Sequence, residues 1–338
     1  MAKILVTGAA GFMGSHLAER LIQQGHTVYG VDNLMGGEKE NVPDGVDFVG
    51  VDCCDINNFY WQPKLDLVYH LAAAPHEGLS VFSPNIVTRN TYLSTVAVTT
   101  AAIRSGARRV VFTSSMARYG KGTGYGFPFD EMDHPAAPVD PYGIAKVAAE
   151  DTLRCLCNAH GVEHVIVVPH NVIGPRQRYY DPFRNVAAIF MNMMLLGKQP
   201  YIYGDGEQKR CFSFIDDVVD PMIEAGFKEG LSGEVINIGP DEEFITINDL
   251  ARRIAGIIGF DLKPVYLDKR PLEVKLAYCC SDKARRLLGY RTTMRLDGGL
   301  RRMINWIKEC GPRPFEYHLP VELTDSPAVP RTWKERLM

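Results

Sequence analysis

The sequence predicts an α/β protein with a doubly wound parallel sheet, followed by a smaller, mixed α/β C-terminal domain. Short apolar segments alternate with helical segments through residue 168, which is typical of a parallel sheet covered by helices on both faces. A glycine-rich turn follows the first apolar segment. The pattern then becomes less regular, so we expect one domain over residues 1–170, completed by about 216–240, and a second mainly over 171–338.

The first strand and the first helix surround a glycine-rich turn. A short apolar run leads into Gly8, Gly11 and Gly14, and an apolar stripe with helical spacing begins at Met13. Glycines at these positions can turn the chain, admit a pyrophosphate close to the backbone and let the helix pack against the strand. The free N–H groups at the start of the helix also favour a phosphate. The sequence therefore predicts a Rossmann-type dinucleotide site.

The residues at the ends of the next strands indicate which dinucleotide binds. The second strand ends at Asp32, where a carboxylate can accept hydrogen bonds from ribose hydroxyls and repels the 2′-phosphate of NADP. Asp52 follows the third strand and has two interpretations, an adenine contact or a helix cap. Ala72 and Ala73 follow the fourth strand and leave room for a cofactor against the backbone. We therefore expect NAD.

Composition and charge argue against several classes of protein. The chain has 338 residues, 46% of them hydrophobic and 23% charged, which is ordinary for a soluble α/β protein. A net charge of −3 gives no electrostatic reason to bind nucleic acid or an anionic membrane. No apolar run approaches the roughly 18 residues of a membrane span, and we expect no signal peptide. The eight cysteines form no pair of CxxC motifs, so we expect reduced thiols in the cytoplasm and no metal site.

Tyr142 and Lys146 are four residues apart on a predicted helix and therefore share a face. A tyrosine with a pKa of about 10 is a poor base at neutral pH. A neighbouring ammonium and a cationic nicotinamide both favour the phenolate. Ser115, just after the fifth strand, can share a hydrogen bond with the substrate oxygen that loses its proton. An exposed helical pair is the alternative interpretation, but the preceding glycine turn, Asp32 and the serine favour catalysis.

In combination, these motifs resemble those of the extended short-chain dehydrogenase/reductases. The matching segments are Thr7-Gly8-x-x-Gly11-x-x-Gly14, His70-Leu71-Ala72-Ala73, Ser114-Ser115 before Tyr119-Gly120, and Tyr142-Gly143-x-x-Lys146. Further segments are similar to the UDP-hexose 4-epimerase branch: Asn171-Val172-x-Gly174-Pro175, Arg210-x-Phe212 before Asp216-Asp217, and Arg270-Pro271-Leu272-Glu273. The resemblance runs from residue 3 to about residue 308.

The resemblance implies a role for each matching position. Ser115, Tyr142 and Lys146 correspond to the catalytic trio. The implied cofactor-binding residues are Gly8, Gly11, Phe12, Met13, Gly14, Asp32, Asn33, Asp52, Cys53, Leu71, Ala72, Ala73, Thr113, Tyr142, Lys146 and Pro169. The implied substrate-binding residues are Ser115, Asn171, Asn185, Val186, Tyr203, Arg210, Phe212, Arg270, Glu273 and Ala277. Arginines and asparagine amides suit a nucleotide diphosphate.

Two of these positions have more specific consequences. Pro169 stands where relatives usually have an aromatic residue against the nicotinamide. Ala277 is implied to lie beside the C2 substituent of the hexose, where a small side chain leaves room for an N-acetyl group. The resemblance therefore implies acceptance of UDP-N-acetylglucosamine alongside or instead of UDP-glucose, if counting from Arg270 places Ala277 and not the adjacent Tyr278 at this position.

The residues after Ser115 bear on the type of reaction. In related 4,6-dehydratases an Asp-Glu pair follows the serine, and related 3,5-epimerases have a cysteine at the second position, whereas here Met116 and Ala117 have no acid–base group. The resemblance then implies oxidation at C4, reorientation of the keto sugar and return of the hydride. A nucleotide-sugar dehydratase or reductase, or another NAD-dependent dehydrogenase, is the alternative. A silent binding protein is disfavoured because the trio is intact.

The resemblance also implies a homodimer, formed through the helices at about 85–105 and 142–160. The proline-bearing stretch 311–338 is predicted to be an extended surface segment.

Overall fold

The computed structural model of the chain describes residues 1–58, 64–121, 128–132 and 135–338. The sequence predicts a glycine-rich loop over 119–126, and most of this stretch lies outside the described residues. The strands, in chain order, are β1 (Lys3–Thr7), β2 (Thr27–Asp32), β3 (Asp47–Gly50), β4 (Leu67–His70), β5 (Arg109–Thr113), β6 (Glu163–Pro169), β7 (Val172–Ile173), β8 (Tyr201–Tyr203), β9 (Lys209–Arg210), β10 (Ser213–Phe214), β11 (Val235–Ile238), β12 (Ile245–Thr246), β13 (Val265–Leu267) and β14 (Leu276–Ala277). The α-helices are α1 (Phe12–Gln23), α2 (Glu77–Ser80), α3 (Pro84–Thr88), α4 (Ser94–Arg104), α5 (Pro141–His160), α6 (Val186–Leu195), α7 (Ile215–Phe227), α8 (Ile247–Ile258), α9 (Asp282–Leu288), α10 (Leu296–Cys310) and α11 (Arg331–Lys334).

The central sheet has seven strands in the order β11-β6-β5-β4-β1-β2-β3. All its neighbouring strands are parallel. The direction of winding reverses between β1 and β4, and ligands of such sheets bind outside the carboxyl ends of the strands at this point. The predicted doubly wound parallel sheet is therefore confirmed. A strand from the second half of the chain, β11, also belongs to this sheet and lies beside β6.

The strands of this sheet are apolar on both faces because helices cover both faces. Along β1, Ile4 and Val6 pack into a cluster with α1 and α7, whereas Leu5 packs into a second cluster with α4 and α5. Alternate side chains of a strand point to opposite faces, which explains this division. Burial of both faces requires near-continuous apolar runs, as the sequence has here.

Between β4 and β5 the chain forms a continuous helical run over residues 84–104, which is irregular at its middle. A π-helical turn, Arg89–Leu93, joins α3 to α4. The threonines that give this region poor helix propensity are satisfied locally, because the hydroxyls of Thr95, Thr99 and Thr100 donate to the backbone carbonyl four residues earlier. Tertiary packing between two layers outweighs the intrinsic propensity of these residues.

The second half of the chain adds small sheets and amphipathic helices. β7 pairs with β10, β9 lies between β12 and β14, and β8 pairs with β13. One apolar core extends from α1 and α7 to α8 and α10, so both predicted domains contribute to it. The division into two domains stays a prediction. Within the described ranges, no helix has the length and apolar character that crossing a membrane requires.

Residues 311–338, here called the clasp, are irregular apart from α11, as the prediction of an extended segment expects, but several of their side chains are buried rather than on the surface. Trp333 is 4% exposed and Leu319 is 5% exposed. The Trp333 ring lies against Phe82 and Phe183, with centroid distances of 5.9 and 5.4 Å. Its apolar residues follow neither helical nor strand periodicity, so the sequence pattern could not show that they are buried.

Candidate active site

A cleft runs from the carboxyl edge of the central sheet to the small sheets of the second half. Every cofactor-binding position inferred from the sequence lies on its wall. Each of the inferred substrate-binding residues does so too, with the exception of Ala277. The fold therefore brings together residues that are more than 260 positions apart in the chain.

The glycine turn forms a narrow cradle at the dinucleotide end of the cleft. Gly8 has a φ of +75°, which favours glycine, and a Cβ at Gly8 would lie 3.0 Å from the backbone nitrogen of Ala72. A Cβ at Gly14 would lie 2.0 Å from the carbonyl oxygen of Gly8. Helix α1 can therefore begin at this edge only because these positions lack side chains. The cradle, the start of α1 and the adjacent carboxylate fit a dinucleotide.

Asp32 is that carboxylate, at the end of β2. It is 6% exposed, and it accepts hydrogen bonds from the backbone N–H groups of Ala10 (3.1 Å) and Leu34 (2.8 Å). Burial raises the pKa of Asp32, and these hydrogen bonds oppose the rise. The backbone of the glycine turn thus fixes the carboxylate that the sequence assigns to the ribose.

The catalytic trio inferred from the sequence lies where β5 ends and α5 begins. The Lys146 Nζ atom donates a hydrogen bond to the Thr113 carbonyl oxygen at 2.7 Å and lies 6.0 Å from the centre of the Tyr142 ring. The Ser115 hydroxyl accepts a hydrogen bond from the Ala117 N–H at 3.2 Å. Asp140 caps α5 by accepting from the Gly143 N–H at 3.0 Å, which fixes the first turn and with it Tyr142.

A buried carboxylate on α5 holds the two halves of the trio together. Glu150 is fully buried. It accepts hydrogen bonds from the Ser114 hydroxyl at 2.5 Å, from two Arg118 nitrogens at 3.0 Å each, and from Arg154 at 3.1 Å. Ser114 precedes Ser115, and Glu150 lies one helical turn beyond Lys146. The network therefore fixes the end of β5 against α5.

Burial controls the protonation of the trio. Burial raises the pKa of Tyr142 to about 12. The hydrogen bond with Ser115 and the charge of Arg184 act in the opposite direction and lower this pKa. Burial lowers the pKa of Lys146 to about 7, although the charge of Glu150 raises it. The sequence predicts a lowered tyrosine pKa, and that expectation includes a cationic nicotinamide beside the phenol. In the protein alone, desolvation outweighs the nearby cations.

Two arginines mark the other end of the cleft. An Arg210 Nη atom donates to the Val274 carbonyl oxygen at 2.6 Å. Arg270 pairs with Glu273 at 3.0 Å, and its guanidinium lies 4.7 Å from the centre of the Tyr203 ring. Arg210 is therefore held by backbone oxygens, and the described residues place no carboxylate within 4.0 Å of it. Its charge remains available to an anion in the cleft.

The two asparagines expected at the diphosphate have structural partners. The Asn171 amide donates to the Cys211 carbonyl oxygen at 3.0 Å. Asn185 caps α6 by accepting from the Ala187 N–H at 3.1 Å, and its amide donates to the Val172 carbonyl oxygen at 3.2 Å. The start of α6 therefore faces the cleft with an ordered cap.

Ala277 is the residue that the structure does not bring to the cleft. It lies on β14, where it pairs with Arg210 of β9, and it is absent from the cleft wall. Its neighbour Tyr278 lies against Phe244, with a centroid distance of 4.3 Å. The inferred position beside the hexose C2 substituent is not supported, because pairing with β9 directs this stretch along the small sheet.

Several charged residues on the cleft wall were missed by the sequence analysis. Glu77, at the start of α2, has no side-chain hydrogen bond or ion pair among the described residues, and burial raises its pKa. Arg184 similarly has no carboxylate within 4.0 Å in the described part of the chain. His76 pairs with Asp181 at 3.0 Å. These residues stand in or beside short elements without a motif, so no sequence signal marked them.

The buried amine of Lys146 leads to a testable pH dependence. In the unfolded chain this lysine keeps its proton up to about pH 10, whereas in the folded protein it loses the proton near pH 7. The unfolded state thus binds more protons between pH 7 and pH 9, and stability rises with pH in that window. Urea unfolding at pH 7 and pH 9 measures this effect. Between these pH values, the free energy of unfolding of the unmodified protein without NAD should rise by about 2 kcal/mol more than that of Lys146→Met. Exposed Lys198→Met is the control, and parallel pH profiles for Lys146→Met and the unmodified protein would contradict the assignment.

Comparisons with known proteins agree with this geometry. Residues 4–239 match the NAD dependent epimerase/dehydratase family. The chain is 34% identical to a UDP-glucose 4-epimerase of Mycolicibacterium smegmatis, over 90% of this chain and 98% of the relative. It is 30% identical to a UDP-N-acetyl-alpha-D-glucosaminuronate decarboxylase of Bacillus cytotoxicus, over 91% of this chain and 98% of the relative.

Solved structures have the same fold. The UDP-glucose 4-epimerase of Thermotoga maritima, determined with UDP-glucose, superposes with a TM-score of 0.85 at 32% identity, covering 91% of this chain and 99% of that one. The enzyme of Thermus thermophilus, determined with NAD, superposes with a TM-score of 0.80 at 29% identity, covering 90% and 99%. The chain belongs to the NAD-dependent epimerase/dehydratase family and is an NAD-dependent enzyme of the extended short-chain dehydrogenase/reductase type.

Proposed function

We propose that the chain catalyses the 4-epimerisation of a UDP-hexose through a transient 4-keto sugar. The observation that carries this proposal is the arrangement of Ser115, Tyr142 and Lys146 on the wall of a cleft that also holds Arg210 and Arg270. Met116 and Ala117, which follow the serine, have no acid–base group and do not line the cleft. Alcohol oxidation and its reversal need a proton acceptor, which the trio supplies.

Each residue has a role that follows from its chemistry. NAD held by the glycine turn and Asp32 would supply the acceptor and donor of the hydride at the sugar C4. Tyr142 takes the proton of the C4 hydroxyl and gives it back when the hydride returns. The Ser115 hydroxyl holds the same substrate oxygen, and the Lys146 ammonium favours the phenolate form of Tyr142. Asp32 accepts hydrogen bonds from the cofactor ribose.

The substrate is held at its charged end. Arg210 and Arg270 attract the diphosphate, and the Val186 N–H, which the Asn185 cap does not engage, can donate to it at the start of α6. The remaining inferred residues, Tyr203 and Phe212, give this end apolar contact surface. Such an anchor leaves the hexose free to turn about its bonds to the diphosphate while its 4-keto form is present. That reorientation exposes the opposite face of C4 to the returning hydride.

A nucleotide-sugar dehydratase is the second candidate, and Glu77 is the observation that favours it. Its carboxylate lies in the cleft without a partner among the described residues, so it is free to exchange a proton with a substrate there. Epimerisation yields a C4 epimer of unchanged mass, whereas dehydration yields a 4-keto-6-deoxy sugar that is lighter by one water. Mass analysis of the product separates the two reactions.

Tyr142→Phe should retain fold and NAD binding but lower turnover of UDP-galactose by roughly 10²- to 10⁴-fold, because the proton acceptor is lost. Ser115→Ala should lose about tenfold, since it removes one hydrogen bond to a charged oxygen. Tyr266→Phe, at an exposed tyrosine outside the cleft, is the matched control. Turnover by Tyr142→Phe within threefold of the unmodified protein would disprove the assigned base.

We also propose that the chain is a homodimer through the helical run 84–104 and α5. Leu93 is 48% exposed and Ile144 is 54% exposed, and the π-helical turn that carries Leu93 packs against α5. All eight cysteines are free, which suits a reducing compartment such as the cytoplasm. Light scattering at micromolar concentration should give a dimer, and Ile144→Glu should give a monomer. Met132→Glu, at a residue that is 86% exposed elsewhere, should leave the dimer intact. A monomeric unmodified protein would contradict this proposal.

A further inference from the structure

The clasp, residues 311–338, connects the two sides of the cleft. On one side, Glu322 accepts hydrogen bonds from the backbone N–H groups of Asn85 (3.0 Å) and Ile86 (2.9 Å), at the start of α3. The Ser83 hydroxyl donates to the Pro320 carbonyl oxygen at 2.7 Å. These contacts fix the clasp to the segment that carries α2 and Glu77.

On the other side, the clasp is fixed to the second half of the chain. The Glu316 N–H donates to the Tyr180 carbonyl oxygen at 3.0 Å, and the Glu316 carboxylate pairs with Arg178 at 2.6 Å. The Tyr203 hydroxyl hydrogen-bonds to the Thr332 hydroxyl. The clasp therefore ties α2 and α3 to β8 and to the loop before α6.

The clasp also closes on itself, so that its last helix is held firmly. The Tyr317 hydroxyl donates to the Thr332 carbonyl oxygen at 2.9 Å, and the Met338 N–H donates to the Tyr317 hydroxyl at 3.3 Å. The Trp333 Nε1 atom donates to the Pro182 carbonyl oxygen at 3.1 Å. Trp333 is thus oriented by a hydrogen bond and by two aromatic neighbours.

Two clasp side chains, Trp333 and Met338, reach the cleft wall. Trp333 reaches the cleft wall beside Gly78 of α2. A Cβ at Gly78 would lie 3.2 Å from an Arg270 Nη atom and 3.6 Å from the outer edge of the Trp333 ring. The indole edge and the guanidinium therefore meet beside α2, between Glu77 and the arginine end of the cleft.

We propose that the clasp forms part of the sugar subsite and that Trp333 and Met338 contact the hexose of the nucleotide sugar. The proposal rests on the proposed function, because it takes Arg270 as a ligand of the diphosphate. A group beside that arginine and beside Glu77 faces the part of the substrate that adjoins the diphosphate. An apolar ring edge there can cover the C–H surface of a sugar, and binding of UDP alone separates this contact from one with the nucleotide base.

The test measures binding by calorimetry to the NAD-loaded protein, with UDP, UDP-glucose and UDP-N-acetylglucosamine as probes. Trp333→Ala should weaken both UDP-sugars at least tenfold and change the affinity for UDP by less than threefold. Exposed Lys334→Ala on the same helix is the matched control and should bind all three probes as the unmodified protein does. An unchanged affinity for the UDP-sugars, or equal losses for UDP and the UDP-sugars, would overturn the proposal.

A second variant covers the case in which Trp333→Ala does not fold, since this tryptophan fills an apolar cluster. Met338→Ala removes a partly buried side chain from the cleft wall, and should weaken the UDP-sugars selectively while NAD content and the thermal unfolding temperature stay unchanged. If Met338→Ala bound the UDP-sugars with the affinity of the unmodified protein, the proposal would be overturned. If the unmodified protein binds none of the three probes, the proposed function itself fails, and the two failures are distinguishable.

Discussion

The buried charge of Glu150 is the interaction on which the site depends. It sits on α5 and is shared by Ser114, Arg118 and Arg154, so it joins the end of β5 to the helix that carries Tyr142 and Lys146. Breaking a buried pair by removing one partner costs about 3–5 kcal/mol, because an unpaired charge remains inside the protein. The trio is therefore positioned by a group that need not contact substrate.

The cleft combines two different kinds of surface. At the dinucleotide end, the wall is backbone and glycine, and the tight approach of α1 to β1 leaves no room for side chains. At the other end, the wall consists of arginines, aromatic rings and the clasp. The first surface suits a cofactor that is retained and regenerated within each turnover, whereas the second suits a substrate that must enter, turn and leave. In the proposed reaction the Tyr142 phenol lies where the two surfaces meet.

Local patterns predicted much of this arrangement. The strand–glycine–helix pattern around Gly8, the spacing of Tyr142 and Lys146, and the apolar runs of the parallel strands each have a physical cause within a few residues of the chain. Parallel strands bring their carboxyl ends to one edge, so the sequence alone is enough to expect Asp32 and Ser115 at one cleft.

The remaining features depend on long-range packing that leaves no periodic signal. The clasp is buried through contacts with residues more than 100 positions away, such as Phe82 and Phe183, so its sequence resembled a surface segment. Glu77 reaches the cleft from the short helix α2, and Arg184 from the loop before α6. The resemblance implies a position for Ala277 beside the hexose, and the pairing of β14 with β9 takes it elsewhere. The raised pKa of Tyr142 reflects burial, which no residue spacing reveals.

The most direct test of the central claim is whether NAD is regenerated in each turnover. The purified NAD-loaded protein would be mixed with excess UDP-glucose or UDP-galactose without added cofactor, while absorbance of the reduced nicotinamide and the sugar product are followed together. The account predicts many turnovers to a mixture of the two C4 epimers, with no net accumulation of reduced cofactor. Reduced cofactor that accumulates in proportion to the sugar consumed, with turnover ending after one equivalent, would contradict it.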